Sequence, residues 1–313
     1  MDARPVGEFR RGRNGPHVAG TGRGHGKPLV QGSMQAFSTT RMGVRFWGAR
    51  GSIPCPGPET VRYGGNTACV EVRCGDHTLI FDGGSGIMPL GKRLLAAGAP
   101  IDADIFFSHF HLDHVIGLPF FEPCYAPGHR FCLWAGSVAE ENSLQRVFST
   151  LMSPQLFPVG IEEFRAKIEF REFRTGAVLQ PRDGIMVRTG ALNHPGGATG
   201  YRLEFAGRSM AYLTDTEHRG DQLDPNVLAL AADVELMIYD CTYTDEEYLR
   251  FKGRGHSTWQ HAVRLADAAR AKRLAIFHHD PTHDDAFMDK VAAEADKTRT
   301  GTLVAREGLE LDL

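Results

Sequence analysis

The sequence predicts an α+β fold arranged as a four-layer αββα sandwich, two sheets with helices on their outer sides. Three observations predict it. Strand-like segments come in runs, helical segments fall between those runs, and stacked layers accommodate that order. The 313 residues suffice for one large core or two small ones. A hydrophobic content of 42% with 23% charged residues is that of an ordinary globular protein.

Residues 1–40 stand apart. "RRGRNGPHVAGTGRGHGKPLVQGS" is rich in Gly and Arg and poor in core residues, and eight Lys/Arg face two Asp/Glu within residues 1–45. Such a segment buries too little apolar surface to offset its ordering entropy, so a disordered basic extension is expected. Order is expected from "GVRFWGARGSIPCPGPE", where a strand over Val44–Trp47 enters a Gly/Pro-rich loop. "TACVEVRCGDHTLIFDGGSG" reads as two strands around a Gly-Asp turn, then a turn opening a helix over Ile87–Ala97. "ADIFFSHFHLDH" is an apolar strand, Ile105–Phe107, that ends in a histidine cluster. The stretch 118–180 is less regular. It holds a helical segment "SVAEENSLQRVFSTLMS" and an alternating strand "AKIEFREF", and it is expected to form a cover over a site. Strands follow in "GIMVRTGAL", "TGYRLEFAG", "SMAYLTD" and "VELMIYDCTY"; then a helix over Thr258–Ala271, the strand "RLAIFH" and a last strand near "GTLVA". Residues 41–313 are therefore expected to form one domain.

Several classes are disfavoured. A net charge of −3 gives no nucleic-acid footprint. No apolar run is long enough to span a bilayer, and the N-terminus lacks the apolar segment of a secretory signal. Six cysteines, at 55, 69, 74, 124, 132 and 241, show no CxxC pairing. A reduced, cytoplasmic protein is expected.

Chemistry concentrates in "FFSHFHLDHVIGLPFF", residues 106–121. His109 and His111 are two apart, so on an extended backbone both point the same way and can reach one metal. Asp113 and His114 begin the next turn and can reach a second position. Imidazole suits zinc, iron, nickel or copper, and a carboxylate adds a hard ligand that can bridge. Other candidate ligands lie at the ends of later strands: His194 in "LNHPGG", Asp215 in "YLTDTEH", and His278 or His279 in "RLAIFHHDPTHDD".

The order "HFHLDH", "NHPGG", "LTDT", "IFHH" resembles that of the metallo-β-lactamase-fold hydrolases, from residue 44 to the C-terminus. "FWGARGSIPCP", "LMIYDCTYTDEE" and above all "GHSTWQHAVRLADAARAKRLAIFH" are similar to the ribonuclease Z and small phosphodiesterase branch. The resemblance implies that His109, His111 and His194 hold one divalent metal. Asp113, His114 and His278 would hold a second, with Asp215 bridging. His278 rather than His279 takes the ligand place, because its spacing from His256 matches the family pattern. Zinc is the expected metal, with manganese or iron as alternatives. A water bridging two metals loses its proton near neutral pH and attacks phosphorus. Asp113 would orient it, and His256, ahead of the helix-capping Ser257 and Thr258, would act as general acid. His218 is expected at the surface and His261 facing solvent or packed, while His283 with Asp284 and Asp285 could reach a phosphate.

The expected activity is a dinuclear metal-dependent phosphodiesterase acting on cyclic nucleotides or other small phosphodiesters. A transfer-RNA 3′-processing endonuclease ranks second, because no long Gly/Pro-rich arm for gripping RNA is evident. A lactamase- or thioesterase-type hydrolase ranks third, since those branches lack the "GHST" feature. The diiron redox branch carries a carboxylate where this chain has His111. A non-catalytic metal module would lack a ligand, and none is missing. The resemblance also allows a homodimer; no membrane partner is expected.

Overall fold

The computed structural model describes residues 40–136, 144–220 and 222–313. The expected disordered extension lies outside the described residues, apart from Thr40.

Among the described residues, fourteen strands form two seven-stranded sheets. The first runs β14-β1-β2-β3-β4-β5-β6, built from β1 (Met42–Gly48), β2 (Cys69–Cys74), β3 (His77–Phe81), β4 (Asp102–Phe107), β5 (Arg130–Gly136), β6 (Lys167–Phe173) and β14 (Glu310–Asp312). The second runs β13-β12-β11-β10-β9-β8-β7, built from β7 (Val178–Arg182), β8 (Ile185–Leu192), β9 (Ala198–Phe205), β10 (Arg208–Leu213), β11 (Leu236–Asp240), β12 (Arg273–Phe277) and β13 (Thr302–Val304). Each sheet is antiparallel at one end and parallel at the other: β3 to β6 pair in parallel, as do β10 to β13. Within the stretch expected to be a cover, β5 and β6 are therefore strands of the first sheet, and β7 edges the second. The helix expected over 137–153 is seen as α3 (Leu144–Leu151), its first seven predicted positions falling outside the described residues.

Burial explains the layering. Side chains between the sheets form one core, including Phe46, Phe81, Phe106, Trp134, Tyr201, Tyr212 and Phe277. Each such side chain contributes about 1.5–3 kcal/mol on burial. A second apolar layer packs the outer face of the first sheet under α1 (Ile87–Ala96) and α3. The first helix buries Ile87, Leu90, Gly91 and Leu94, the i, i+3, i+4, i+7 stripe of an amphipathic helix. A third layer packs the second sheet under α4 (Pro225–Ala231), α6 (Trp259–Ala268) and α7 (Asp285–Thr298). The short α2 (Leu112–Val115) and α5 (Asp245–Phe251) lie on the connections. With both faces covered, β11 is buried at every position, whereas β8 alternates inside and outside along most of its length. The predicted αββα order is thus observed. No described helix is long and apolar enough to cross a membrane.

Arg182 on β7 joins the two sheets at an edge by pairing with two aspartates of β4, Asp104 and Asp102. Asp104 on β4 is 2% exposed. It accepts from Trp134 Nε1 at 2.8 Å and from Arg182 Nε, on β7, at 2.6 Å. Removing Asp104 leaves Arg182 with the exposed Asp102, which still accepts from its Nη2 at 2.6 Å, so the cost falls below the about 3–5 kcal/mol of a wholly uncompensated buried charge. Asp104→Ala is expected to lower the urea midpoint accordingly, while the double variant Asp104→Ala/Arg182→Met recovers part of the loss. An unchanged midpoint in the single variant would show that the contact contributes nothing.

Candidate metal centre

The parallel strands of both sheets end at one place, and the sequence puts a His or Asp just beyond several of those ends. β3 leads to Asp82, β4 to His109, β10 to Asp215, β12 to His278, and β11 ends in Asp240 itself. Carboxyl ends of parallel strands are where ligand sites of open α/β sheets form. Three of these residues, Asp82, Asp215 and His278, have φ of 60°, 57° and 63°. The left-handed conformation turns each chain sharply off its strand and brings the side chain back over the sheet edge.

All seven sequence-predicted ligands converge. His109, His111 and His194 form one group, Asp113, His114 and His278 another, and His109, His114 and Asp215 a third; within each group the potential ligand atoms lie within 4.8 Å of one another. Asp215 sits between the groups. Its Oδ1 is 3.8 Å from His109 Nε2 and 3.7 Å from His194 Nε2; its Oδ2 is 3.1 Å from His114 Nε2 and 3.3 Å from His278 Nε2. Asp113 Oδ2 lies 3.3 Å from His114 Nε2 and 3.2 Å from His278 Nε2, and accepts from the Ser52 amide at 2.7 Å. His279 is absent from the cluster. It faces the other way, with Nε2 donating to Ala305 O at 2.8 Å.

The outer ring nitrogens are held. Asp82 Oδ2 pairs with His114 Nδ1 at 2.8 Å, and Ser108 Oγ bridges His109 Nδ1 (3.0 Å) to Asp82 (2.8 Å). His194 Nδ1 donates to Gly255 O at 2.8 Å, and His278 Nδ1 lies 3.0 Å from Thr242 Oγ1. These contacts leave the Nε2 atoms of His109, His114, His194 and His278 facing the cluster. The buried Nε2 atoms of His109 and His114 have no hydrogen-bond partner. For His114 the nearby carboxylate oxygens are close but not aligned. Buried nitrogens aimed at carboxylates, with their opposite nitrogens fixed, are the donor arrangement of a metal site.

Electrostatics agree. Burial opposes charge at His114, yet Asp215, Asp113 and Asp82 together raise its proton affinity well above the usual imidazole range. His109 moves the other way, lowered by burial and by its imidazole neighbours. Against burial, the surrounding histidines hold Asp113 and Asp215 well below the usual carboxylate range. The cluster therefore stabilises positive charge and keeps its carboxylates ionised, as a divalent cation requires.

Two further acids stand in the site that the motif reading passed over, Asp82 and Asp240. Asp82 also accepts from Ser108 N at 2.8 Å and Tyr212 OH at 2.7 Å. Asp240 is fully buried and accepts from His256 Nδ1 at 2.8 Å, Thr242 N at 3.1 Å, Thr242 Oγ1 at 2.9 Å and Ser257 N at 3.2 Å. Both directly follow or end an apolar strand, the same signal that pointed to Asp215. Burial would lower the pKa of His256, but the Asp240 carboxylate overrides it and pushes the imidazole up to about 9. Glu217 is a third addition. Its carboxylate accepts from Gly253 N (2.7 Å), Gly255 N (2.8 Å) and Tyr248 OH (2.8 Å), which ties down the loop that carries His256.

Other histidines play different parts. His218 is buried rather than at the surface: it bonds Ser257 Oγ at 2.8 Å and stacks on His261 at 4.2 Å. Thr258 caps the helix, accepting from His261 N at 3.0 Å, while Ser257 is engaged by His218. His283 pairs with Glu247 at 2.8 Å, Asp284 caps α7, and Asp285 accepts from Arg62 N and Tyr63 N. None of these last three belongs to a metal-capable group among the described residues.

Gly51 shows how tightly one ring is packed. A Cβ there would lie 2.3 Å from His278 Cε1 and 2.4 Å from its Nδ1. Gly51→Ala is expected to displace the ring and weaken metal binding about 10–100-fold, the range for disturbing a ligand's support. Overpacking should cost no more than about 1–3 kcal/mol of stability. Metal titration of the apo-protein checks this, and an unaltered affinity would refute it.

A β-lactamase superfamily domain model matches residues 77–279. The ribonuclease Z of Gemmatimonas aurantiaca is 26% identical over 318 aligned positions, covering 86% of this chain and 95% of the relative. Among solved structures, the metallo-β-lactamase fold protein YhfI of Bacillus subtilis superposes with a TM-score of 0.66 at 18% identity, covering 88% of this chain and all of the other. A diphosphatase of the PhnP family superposes with a TM-score of 0.63 at 18% identity, covering 87% and 98%. Fold, converging ligands and family match agree, and the chain belongs to the β-lactamase superfamily, as a hydrolase of the metallo-β-lactamase fold.

Proposed function

We propose that the protein is a phosphodiesterase that holds two divalent cations, zinc first among them, and cleaves small phosphodiesters such as cyclic nucleotides. Mixed imidazole and carboxylate donors suit zinc. Bound between these side chains, the two cations would supply a water of lowered pKa and neutralise charge on the phosphoryl oxygens. His109, His111 and His194 would hold one ion, Asp113, His114 and His278 the other, and Asp215 both.

The observation that carries the reading is the His256–Asp240 pair beside the cluster. Asp240 accepts a hydrogen bond from Nδ1 at 2.8 Å, which leaves Nε2 to face a substrate. In hydrolysis a new P–O bond forms from water and the P–O bond to the leaving oxygen breaks. The leaving oxygen keeps that electron pair and needs a proton, and His256 is placed to give it. Lactams and thioesters also need such a proton, and two-cation sites serve carbonyl hydrolysis too, so substrate turnover separates the classes. Asp113, fixed by the Ser52 amide, orients the attacking water.

The relatives named ribonuclease Z support RNA as a second substrate class. The experiment is a panel offered to metal-loaded protein: 2′,3′- and 3′,5′-cyclic nucleotides, a precursor transfer RNA, a lactam and an acyl thioester. Turnover of the cyclic nucleotides is expected. Cleavage of the transfer RNA alone would replace this reading with the ribonuclease one, and cleavage of only the last two would reject phosphodiesters.

A further inference from the structure

The loop that carries His256 is made of turns and bends, and Gly253 and Gly255 in it hold left-handed φ of 89° and 88°. Its shape comes from outside the loop. Glu217 Oε1 accepts from Gly253 N at 2.7 Å and Oε2 from Gly255 N at 2.8 Å, so one carboxylate grips both amides. The same residue is tied by its backbone to the segment of His194. Glu217 N donates to Asn193 O at 2.8 Å, and Asn193 Nδ2 donates to Glu217 O at 2.7 Å. Glu217 therefore holds the residue before a metal-capable histidine and the residue before the proposed acid.

Gly255 is the joint between the two. Its N–H goes to Glu217, its C=O accepts from His194 Nδ1 at 2.8 Å, and the next residue is His256. The His194 and His256 rings lie 5.3 Å apart. The approach leaves no room for a side chain: a Cβ on Gly255 would lie 2.4 Å from His194 Nδ1. With Nε2 given to a cation, the His194 ring keeps its proton on Nδ1, aimed at this carbonyl. The ring then fixes the loop, and the fixed loop orients the ring, because such coupling is reciprocal.

We propose that Gly255, gripped by Glu217, couples cation binding at His109, His111 and His194 to the placement of His256, with Glu217 as the positioning residue for both. The proposal rests on the metal and general-acid assignments of the phosphodiesterase reading and adds a link between them.

Amide hydrogen exchange of the wild type tests the link without turnover. Zinc added to the apo-protein is expected to slow exchange over residues 253–256 about tenfold more than over α7, which contributes no ligand; couplings of this kind span about 5–150-fold. Glu217→Gln keeps the shape but offers one acceptor oxygen and one NH2, so it cannot accept from both glycine amides. In that variant the zinc effect on 253–256 should fall to the effect on α7, and one of the two ions should bind about 10–100-fold more weakly. At saturating zinc, kcat for a 3′,5′-cyclic nucleotide, which expels an alkoxide, should fall about tenfold more than kcat for bis(p-nitrophenyl) phosphate, whose leaving group needs the proton least. Equal falls on both diesters would make Glu217 a structural residue only and overturn the proposal. Exchange over 253–256 that ignores zinc in the wild type would overturn it too, whether or not the variant folds. A wild type that turns over neither diester would overturn the phosphodiesterase reading, while the exchange result still decides the coupling.

Discussion

Replacing Asp215 with Asn is expected to reduce bound metal from the proposed two ions per chain and to lower diester turnover by at least about 10³-fold, several kcal/mol of lost charge stabilisation. The carboxylate is the shared member of the cluster, with one oxygen toward His109 and His194 and the other toward His114 and His278. Losing its charge weakens both groups at once. Asn is chosen because the position is left-handed, at φ 57°, and Asn enters that region more readily than most residues. The variant should therefore fold and isolate the charge. Elemental analysis beside a thermal melt separates the outcomes. A folded variant with full metal and full turnover would remove Asp215 from the site.

The second large effect is expected at His256. His256→Ala should retain metal and lose about 10²–10⁴-fold in turnover, the contribution of a positioned general acid. The loss should shrink for diesters whose leaving group is a weak base, such as p-nitrophenol, because those need the proton least. Asp240→Asn should act through the same imidazole. Asp240 raises the proton affinity of His256, so without its charge the acid form is lost at lower pH. The alkaline limb of the pH–rate profile is expected to move down, with little change on the acid side. A variant at His256 that kept full activity toward alkyl diesters would show that the proton comes from elsewhere.

These expectations were readable in the chain to different depths. The apolar runs behind His109, Asp215 and His278 announced buried strands, and the polar residue at each end announced the site, because an apolar strand fixes where its last side chain emerges. The choice of His278 over His279 came from the resemblance, through the spacing from His256, and His278 is the one that faces the cluster. Asp82 and Asp240 carried the same strand-end signal, but "DGG" and "DCT" also read as ordinary turn chemistry. Glu217 had no local signal: its role arises only when the loop at Gly253–Gly255 folds against it, far along the chain. His218 was expected outside and is buried, since its partners Ser257 and His261 come from a distant segment. The places of β5 and β6 in the first sheet were equally non-local, because strand order depends on pairing rather than on any pattern within a strand.

The left-handed strand ends set two demands on the same positions. A residue with a Cβ held there costs about 1–3 kcal/mol that glycine would not. At His278 the ring is also wedged against Gly51. Chains selected only for heat tolerance should therefore accumulate Gly or Asn at His278 and become sturdier and inert together. Consensus-style thermostabilisation of this enzyme has to hold such positions fixed and seek its gains in the helices and outer strands, away from the converging ends.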